Sequence, residues 1–266
     1  MRSLVLLFSP LLALSVLAAP SPAADPAPSL DEILLRHLEA VGGAESLGAL
    51  RTLKKTGTYA YNGHEHPLVS YHAIERQCRE EIEGLRQWGA SFWEGHTLLR
   101  GTDGTIAWAV DESREEEMRR ISPANAASII DEADLHGALY EHEKKGHRVR
   151  LAGPGDADGT PAWALEVALA SGAVQKWFLD QETFLVVRKE VVSEKTEGEN
   201  RFAAYERPRS WYYDDYRSVA GVMMPFWVYV EEPLFNREYI FETIEANVTL
   251  DDDLFAPPPG SYQGKP

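Results

Sequence analysis

From Leu30 onward, apolar residues recur at helical spacing, and Leu30, Ile33, Leu34, Leu38 and Val41 share one face. Ser29 stands where a cap is needed, with Glu32 three positions on, and Gly42 and Gly43 stop the helix. The stretch ESLGALRTL continues as a short helical turn. Beyond Lys54 the period switches to two. KKTGTYAY predicts a strand, NGHEHP a turn, and LVSYHAIERQCREEI one long second strand. RQWGASFWEG and HTLLRGTDGTIAWAV carry the alternation on, with a hairpin signal at Asp103-Gly104.

The rhythm breaks in the middle of the chain. DESREEEMRR is a charge run that predicts a solvated loop or helix face. SPANAASIIDEADLHGALY predicts a helix, with Ser122 as its cap, Pro123 at the first helical position and Ile129, Ile130 and Leu135 as its buried stripe. Strands then resume as GHRVRLAG, PAWALEVALA, AVQKWFLD, TFLVVRKEVV, SWYYDDYRSV, VMMPFWVYVEE and REYIFETIEANV. Trp163, Leu165, Val167 and Leu169 fall on one face of their strand. Short connections make sequence neighbours antiparallel partners, so roughly ten strands and two helical segments predict one curved or barrel-like sheet. The class is α+β, mostly β: a curved antiparallel sheet covered by a few helices.

The N-terminus adds a compartment. Met1 to Ser3 form a basic start, Leu4–Leu17 is apolar, and small residues follow with cleavage points after Ala19, Ala23 or Ala24. That is the layout of a secretory signal, too short to span a bilayer stably. The expected organisation is a signal over 1–24, a flexible leader over 25–28, one domain over 29–260 and a tail over 261–266. The expected location is the periplasm, with no transmembrane segment in the mature chain.

Charge and cysteine count narrow the chemistry. The formal net charge is −16, a field that repels phosphate backbones and disfavours nucleic-acid binding. Cys78 is the single thiol, which rules out an intramolecular disulfide and a cysteine-based zinc site. It reads as a strand residue.

Strand and turn geometry decides between the candidate sites. Asp214 and Asp215 lie side by side within YYDDYRSVAGVMMPF, but adjacent strand residues point to opposite faces and cannot share a proton. With Gly221 at the turn and Pro225 beyond it, the segment predicts a hairpin. His64 and His66 share a face in extended chain, yet Asn62-Gly63 and Pro67 mark a turn, where histidines are solvated. His136, His142 and His147 are spaced too loosely for a ligand motif and are expected at the surface. No nucleophile elbow, HExxH or glycine-rich phosphate loop occurs. No catalytic residue, metal or cofactor is assigned.

The aromatics leave two readings open. All seven tryptophans fall in predicted strands, either as a filled core or as the lining of an apolar cavity. On the cavity reading the lining is Trp88, Phe92, Trp108, Trp163, Leu165 and Phe178, with Ile129 and Ile130 on the covering helix.

Five segments occur in order: ILLRHLEAVGGAESLGALRTLKKTGTY, LHGALYEHEKKGHRVRLAG, WFLDQETFLVVRKE, DDYRSVAGVMMPF and IEANVTLDDDLFAPP. Together they resemble periplasmic proteins of the outer-membrane lipoprotein-sorting type, the LolA/LolB superfamily, over nearly all of the mature chain. The resemblance implies an antiparallel half-barrel plugged by helices, with a cavity for lipid acyl chains. The chain is longer than a compact carrier and lacks the acylated cysteine of the anchored receptor. The expected function is therefore a non-enzymatic carrier for a lipidic ligand or acylated lipoprotein. The alternatives are an envelope interaction module that docks a protein partner, and a hydrolase built on carboxylates or His64 and His66.

Overall fold

The structure is a computed structural model that describes residues 27–61, 63–85, 96–110, 121–191, 209–232 and 236–266. Helix α1 spans Leu30–Ala40 and begins as its sequence dictates. The Ser29 hydroxyl accepts from the Glu32 N–H at 3.3 Å, and the Glu32 carboxylate accepts from the Ser29 N–H at 2.7 Å. This reciprocal pair satisfies two donors that a helix start otherwise leaves open. Helix α2, Gly43–Ala49, follows at once.

Strands β1 (Thr52–Tyr61), β2 (His64–Ala73), β3 (Gln77–Leu85), β4 (His96–Asp103) and β5 (Ala107–Val110) form a first meander. The long strand expected over 68–82 is in fact a hairpin. Glu75 and Arg76 turn it with φ of 65° and 61°, a left-handed pair without the glycine that normally signals such a turn. NGHEHP is also shorter as a turn than expected, because His64 to Pro67 already belong to β2.

Helix α3, Pro123–Glu132, leads to the second meander. Ser122 caps it by accepting from the Asn125 N–H at 3.2 Å, and Pro123 opens it. Residues 133–147 run on as turns, so the helix is shorter than its sequence pattern. Strands β6 (Arg148–Ala157), β7 (Thr160–Ala168), β8 (Val174–Asp180) and β9 (Val186–Val191) come next. Then follow β10 (Arg209–Val219), β11 (Val222–Glu231) and β12 (Asn236–Ala246). Residues 262–264, within the expected tail, supply β13, which pairs with β5.

Among the described residues these strands make one antiparallel sheet that is not closed into a barrel, ordered β13-β5-β4-β3-β2-β1-β12-β11-β10-β9-β8-β7-β6. The two meanders meet edge to edge at β1 and β12. The register shifts at Thr56/Gly57, where a Cβ on Gly57 would stand 2.0 Å from the Ile240 carbonyl oxygen. The bulge bends the sheet at that joint.

One contact measures the curvature. β4 and β12 are four positions apart in the sheet, roughly 19 Å if it were flat. Yet the Arg100 guanidinium donates to the Tyr239 hydroxyl at 2.7 Å. The sheet is therefore a half-barrel, and the residues on its inner face converge.

That face carries the core. Leu165, Val167, Leu169, Leu179 and Val186 pack with Ile33 of α1. Leu53, Leu68, Ile82, Val222, Met224 and Phe226 pack with Leu47 of α2. The strict one-face pattern of Trp163 to Leu169 is observed as expected. α3 packs against β4, β5 and β13 at the far edge.

Candidate functional site

The two inner-face clusters do not merge. Between them, under α1 and α2, lies a cavity of about 550 Å³. Leu34, Leu38 and Val41 of α1 and Ala44 and Leu47 of α2 form its roof. Leu135, Leu139 and Tyr140 close one side, from the turns that follow α3. The sheet supplies the floor with Leu53 and Lys55 of β1, Trp177 of β8, Val186 of β9 and Tyr213 and Tyr216 of β10. Met223, Met224 and Pro225 of β11 complete it.

The YYDDYRSVAGVMMPF hairpin fixes the roof to this floor. Ala220 and Gly221 turn it with φ of 49° and 82°. The Met223 N–H then donates to the Val41 carbonyl at 3.0 Å. Gly42 sits so close that a Cβ would stand 1.9 Å from the Gly221 carbonyl oxygen, and its φ is 114°. Only glycine meets both demands. Asp214 and Asp215 are exposed and separately engaged: Asp214 accepts from the Asp215 N–H at 2.7 Å, and Asp215 pairs with Arg217 at 2.9 and 2.5 Å. The hairpin reading of the sequence stands. Pro225 lies where β11 has β10 on one side only, since β12 pairs from Trp227 onward.

Three polar side chains on the wall are turned onto backbone carbonyls. His37 donates from Nδ1 to the Phe184 carbonyl at 2.8 Å, and His136 from Nε2 to the Leu50 carbonyl at 3.0 Å. The Tyr216 hydroxyl donates to the Val186 carbonyl at 2.7 Å. Burial holds the His37 imidazole below its ordinary range, against the bond to Phe184 that favours its charge. Burial likewise pushes the Tyr213 and Tyr216 phenols upward. What such a wall offers a guest is mostly carbon.

No protein-family model and no curated protein matches the sequence. Solved structures match its shape. A DUF1329 family protein from Desulfovibrio piger aligns with a TM-score of 0.52 at 13% identity, over 85% of this chain and 96% of that one. A domain assigned to outer-membrane lipoprotein sorting, from Vibrio parahaemolyticus, gives 0.51 at 11% identity, over 85% and 95%. A LolA superfamily protein from Nitrosomonas europaea gives 0.49 at 14% identity, over 84% and 95%. The chain shares its fold with the first two of these proteins.

Within this fold the sequence-chosen cavity residues take other places. Trp88 and Phe92 lie outside the described residues. Trp108 is fully buried on the outer face, where its indole N–H donates to the Phe255 carbonyl at 3.0 Å. Phe178 is also on the outer face, with Ala157, Ala162 and Ala164. Trp163 and Leu165 face inward but pack in the cluster beneath α1, and Ile129 and Ile130 stay on α3. None of these six lines the cavity. The reason is register: Trp108 stands opposite Gly101, so its alternation points away from the face that carries Arg100 and Thr102.

The histidines also depart from expectation. His66 is 4% exposed at the start of β2, and His147 is 4% exposed, accepting from the Ala170 N–H at 3.0 Å. His136 and His142 line the cavity. Among the described residues no three His, Cys, Asp or Glu side chains group as a metal site. Cys78 lies in β3, where burial pushes its thiol well upward and away from nucleophilic thiolate character. The lining residues that the sequence reading missed were visible only in part. Leu34, Leu38 and Val41 share one helix face in the sequence, whereas Trp177, Tyr213 and Met224 come together only in the tertiary fold.

Proposed function

We propose that this protein is a non-enzymatic periplasmic carrier for a lipidic ligand, with an acyl chain held in the cavity between α1, α2 and the sheet. The observation that carries the reading is the wall chemistry. The cavity holds about 550 Å³, inside the range of about 300–1,000 Å³ that suits a small ligand. His37, His136 and Tyr216 spend their polar atoms on backbone carbonyls rather than on a guest. Each methylene buried there contributes roughly 0.8 kcal/mol. The lipoprotein-sorting domain from Vibrio parahaemolyticus, similar in fold, agrees with this assignment, and acyl chains of lipoproteins are the natural candidates.

The adjacent carboxylates that a hydrolase could use are engaged elsewhere: Asp214 accepts from the Asp215 N–H and Asp215 pairs with Arg217. A second reading follows from the net charge of −16: an interaction module that docks a cationic envelope protein. Native mass spectrometry of periplasmic protein, with lipid extraction of the same sample, separates the two. Co-purifying lipid, reduced in Leu38→Trp as the new ring intrudes on the cavity, is the expected result. A clean mass with no uptake of added lipid would overturn the carrier reading and leave the module.

A further inference from the structure

Among the described residues the cavity wall holds one lysine or arginine. Lys55, on the inner face of β1, lines it directly. Its ammonium stands 5.1 Å from the centroid of the Phe241 ring. Among the described residues no carboxylate comes within ion-pairing distance of it. Its polar neighbours are committed to other partners. Glu80 takes the Arg100 guanidinium at 2.6 Å, and His72 Nε2 bonds the Ser70 hydroxyl at 2.8 Å.

The acidic groups on the same wall are balanced. Asp134 is paired with Lys145 at 2.7 Å and Glu141 with Lys144 at 2.6 Å. The charge left for a guest is thus positive, in a molecule whose net charge is −16. A half-buried cation over the Phe241 ring is costly unless something pairs with it.

We propose that the ligand is a single-chain anionic amphiphile whose carboxylate or phosphate head is held by the Lys55 ammonium while its chain lies along Leu38, Leu47, Trp177 and Met224. The inference rests on the lipid-carrier reading above and adds the head group to it. A volume of about 550 Å³ suits one chain with its head and does not enclose several.

The test uses the full mature chain and four probes of equal chain length: hexadecanoate, hexadecyl phosphate, hexadecanol and hexadecylamine. Binding is followed by tryptophan fluorescence below micelle-forming concentrations. The anions are expected to bind about tenfold or more tighter than the alcohol, the usual scale of a charge-assisted bond, with the amine weakest. Lys55→Met should erase that preference, Lys55→Arg should keep it, and Lys54→Met, on the opposite face of the same strand, should leave it intact. A thermal melt of each variant confirms folding. The order of hexadecanoate and hexadecyl phosphate tells a fatty-acid head from a phospholipid head. Equal binding of acid and alcohol, unchanged by Lys55→Met, overturns the head-group assignment and leaves the carrier reading standing. Binding of none of the four overturns both.

Discussion

Two patches of one inner face are built from opposite materials. Under α1 and α2 the strands β7 to β11 present Leu165, Val167, Trp177, Val186 and Met224. On β2 to β4 the same face presents Ser70, His72, Cys78, Glu80, Arg100 and Thr102, cross-strand partners in register. The apolar patch is held by packing, which has no direction and tolerates a void. The polar patch is held by directional bonds, and the one from Arg100 to Tyr239 spans four strand positions. The polar half therefore carries the bond that ties the curled strands together. The apolar half accepts what that curl leaves open. Lys55 stands where the two meet.

The largest effects should come from within the apolar half. Leu165 is fully buried among Ile33, Leu139, Val167 and Leu179, so Leu165→Ala is expected to cost about 4 kcal/mol in urea unfolding. Leu47 is 6% exposed but borders the cavity and already lacks partner atoms on one side. Leu47→Ala should cost about 2 kcal/mol or less, and it should enlarge the site for longer chains. Equal costs would mean that the cavity collapses in solution.

The polar half is tested by breaking the Arg100–Glu80 pair, whose side chains are 26% and 18% exposed. Arg100→Met leaves Glu80 uncompensated and releases Tyr239, at an expected cost of about 3 kcal/mol. Adding Glu80→Met should restore stability to within about 1 kcal/mol of the parent. If the double variant recovers stability but loses lipid uptake, the network serves curvature rather than stability. If it recovers both, the bulge at Gly57 and the packing suffice to bend the sheet.

Local chemistry was legible in the sequence where it depends on a few neighbours. The Ser29–Glu32 capping box, the Ser122–Pro123 helix start, the Asp103-Gly104 turn and the 212–226 hairpin all involve residues within one turn or one strand pair. The alternation of Trp163, Leu165, Val167 and Leu169 was equally plain. Alternation says that two faces exist, but not which one curls inward. That choice is made by pairing with distant strands, and it sent Trp108 and Phe178 outward. The Glu75–Arg76 turn escaped because it uses charged residues at left-handed φ. The burial of His66 and His147 escaped because neither has a local signature: one lies on the inner face of a strand, the other accepts from a turn at Ala170.

The smallest expected effect compares one histidine from each half. In the polar half His72 is held well below 6.5, first by burial and then by the Lys55 charge. At the cavity wall His37 is lowered as well, by burial. A group depressed in the folded state binds fewer protons there than in the unfolded chain. Its contribution is therefore complete above the unfolded value of about 6.5 and is lost as pH falls from there through the folded value. Unfolding in urea at about pH 7.5 and about pH 5.5 should show a lower midpoint in acid. Each histidine can account for at most about 1.4 kcal/mol one unit below its ordinary value. Replacing His72 by Gln should flatten the dependence more than His37→Gln, because Lys55 opposes its charge while the Phe184 carbonyl supports that of His37. A slope that His72→Gln leaves unchanged would show that this imidazole is not kept neutral inside the fold. The reverse order would place the more strongly desolvating surroundings at the cavity wall, and the polar half would then be the wetter of the two.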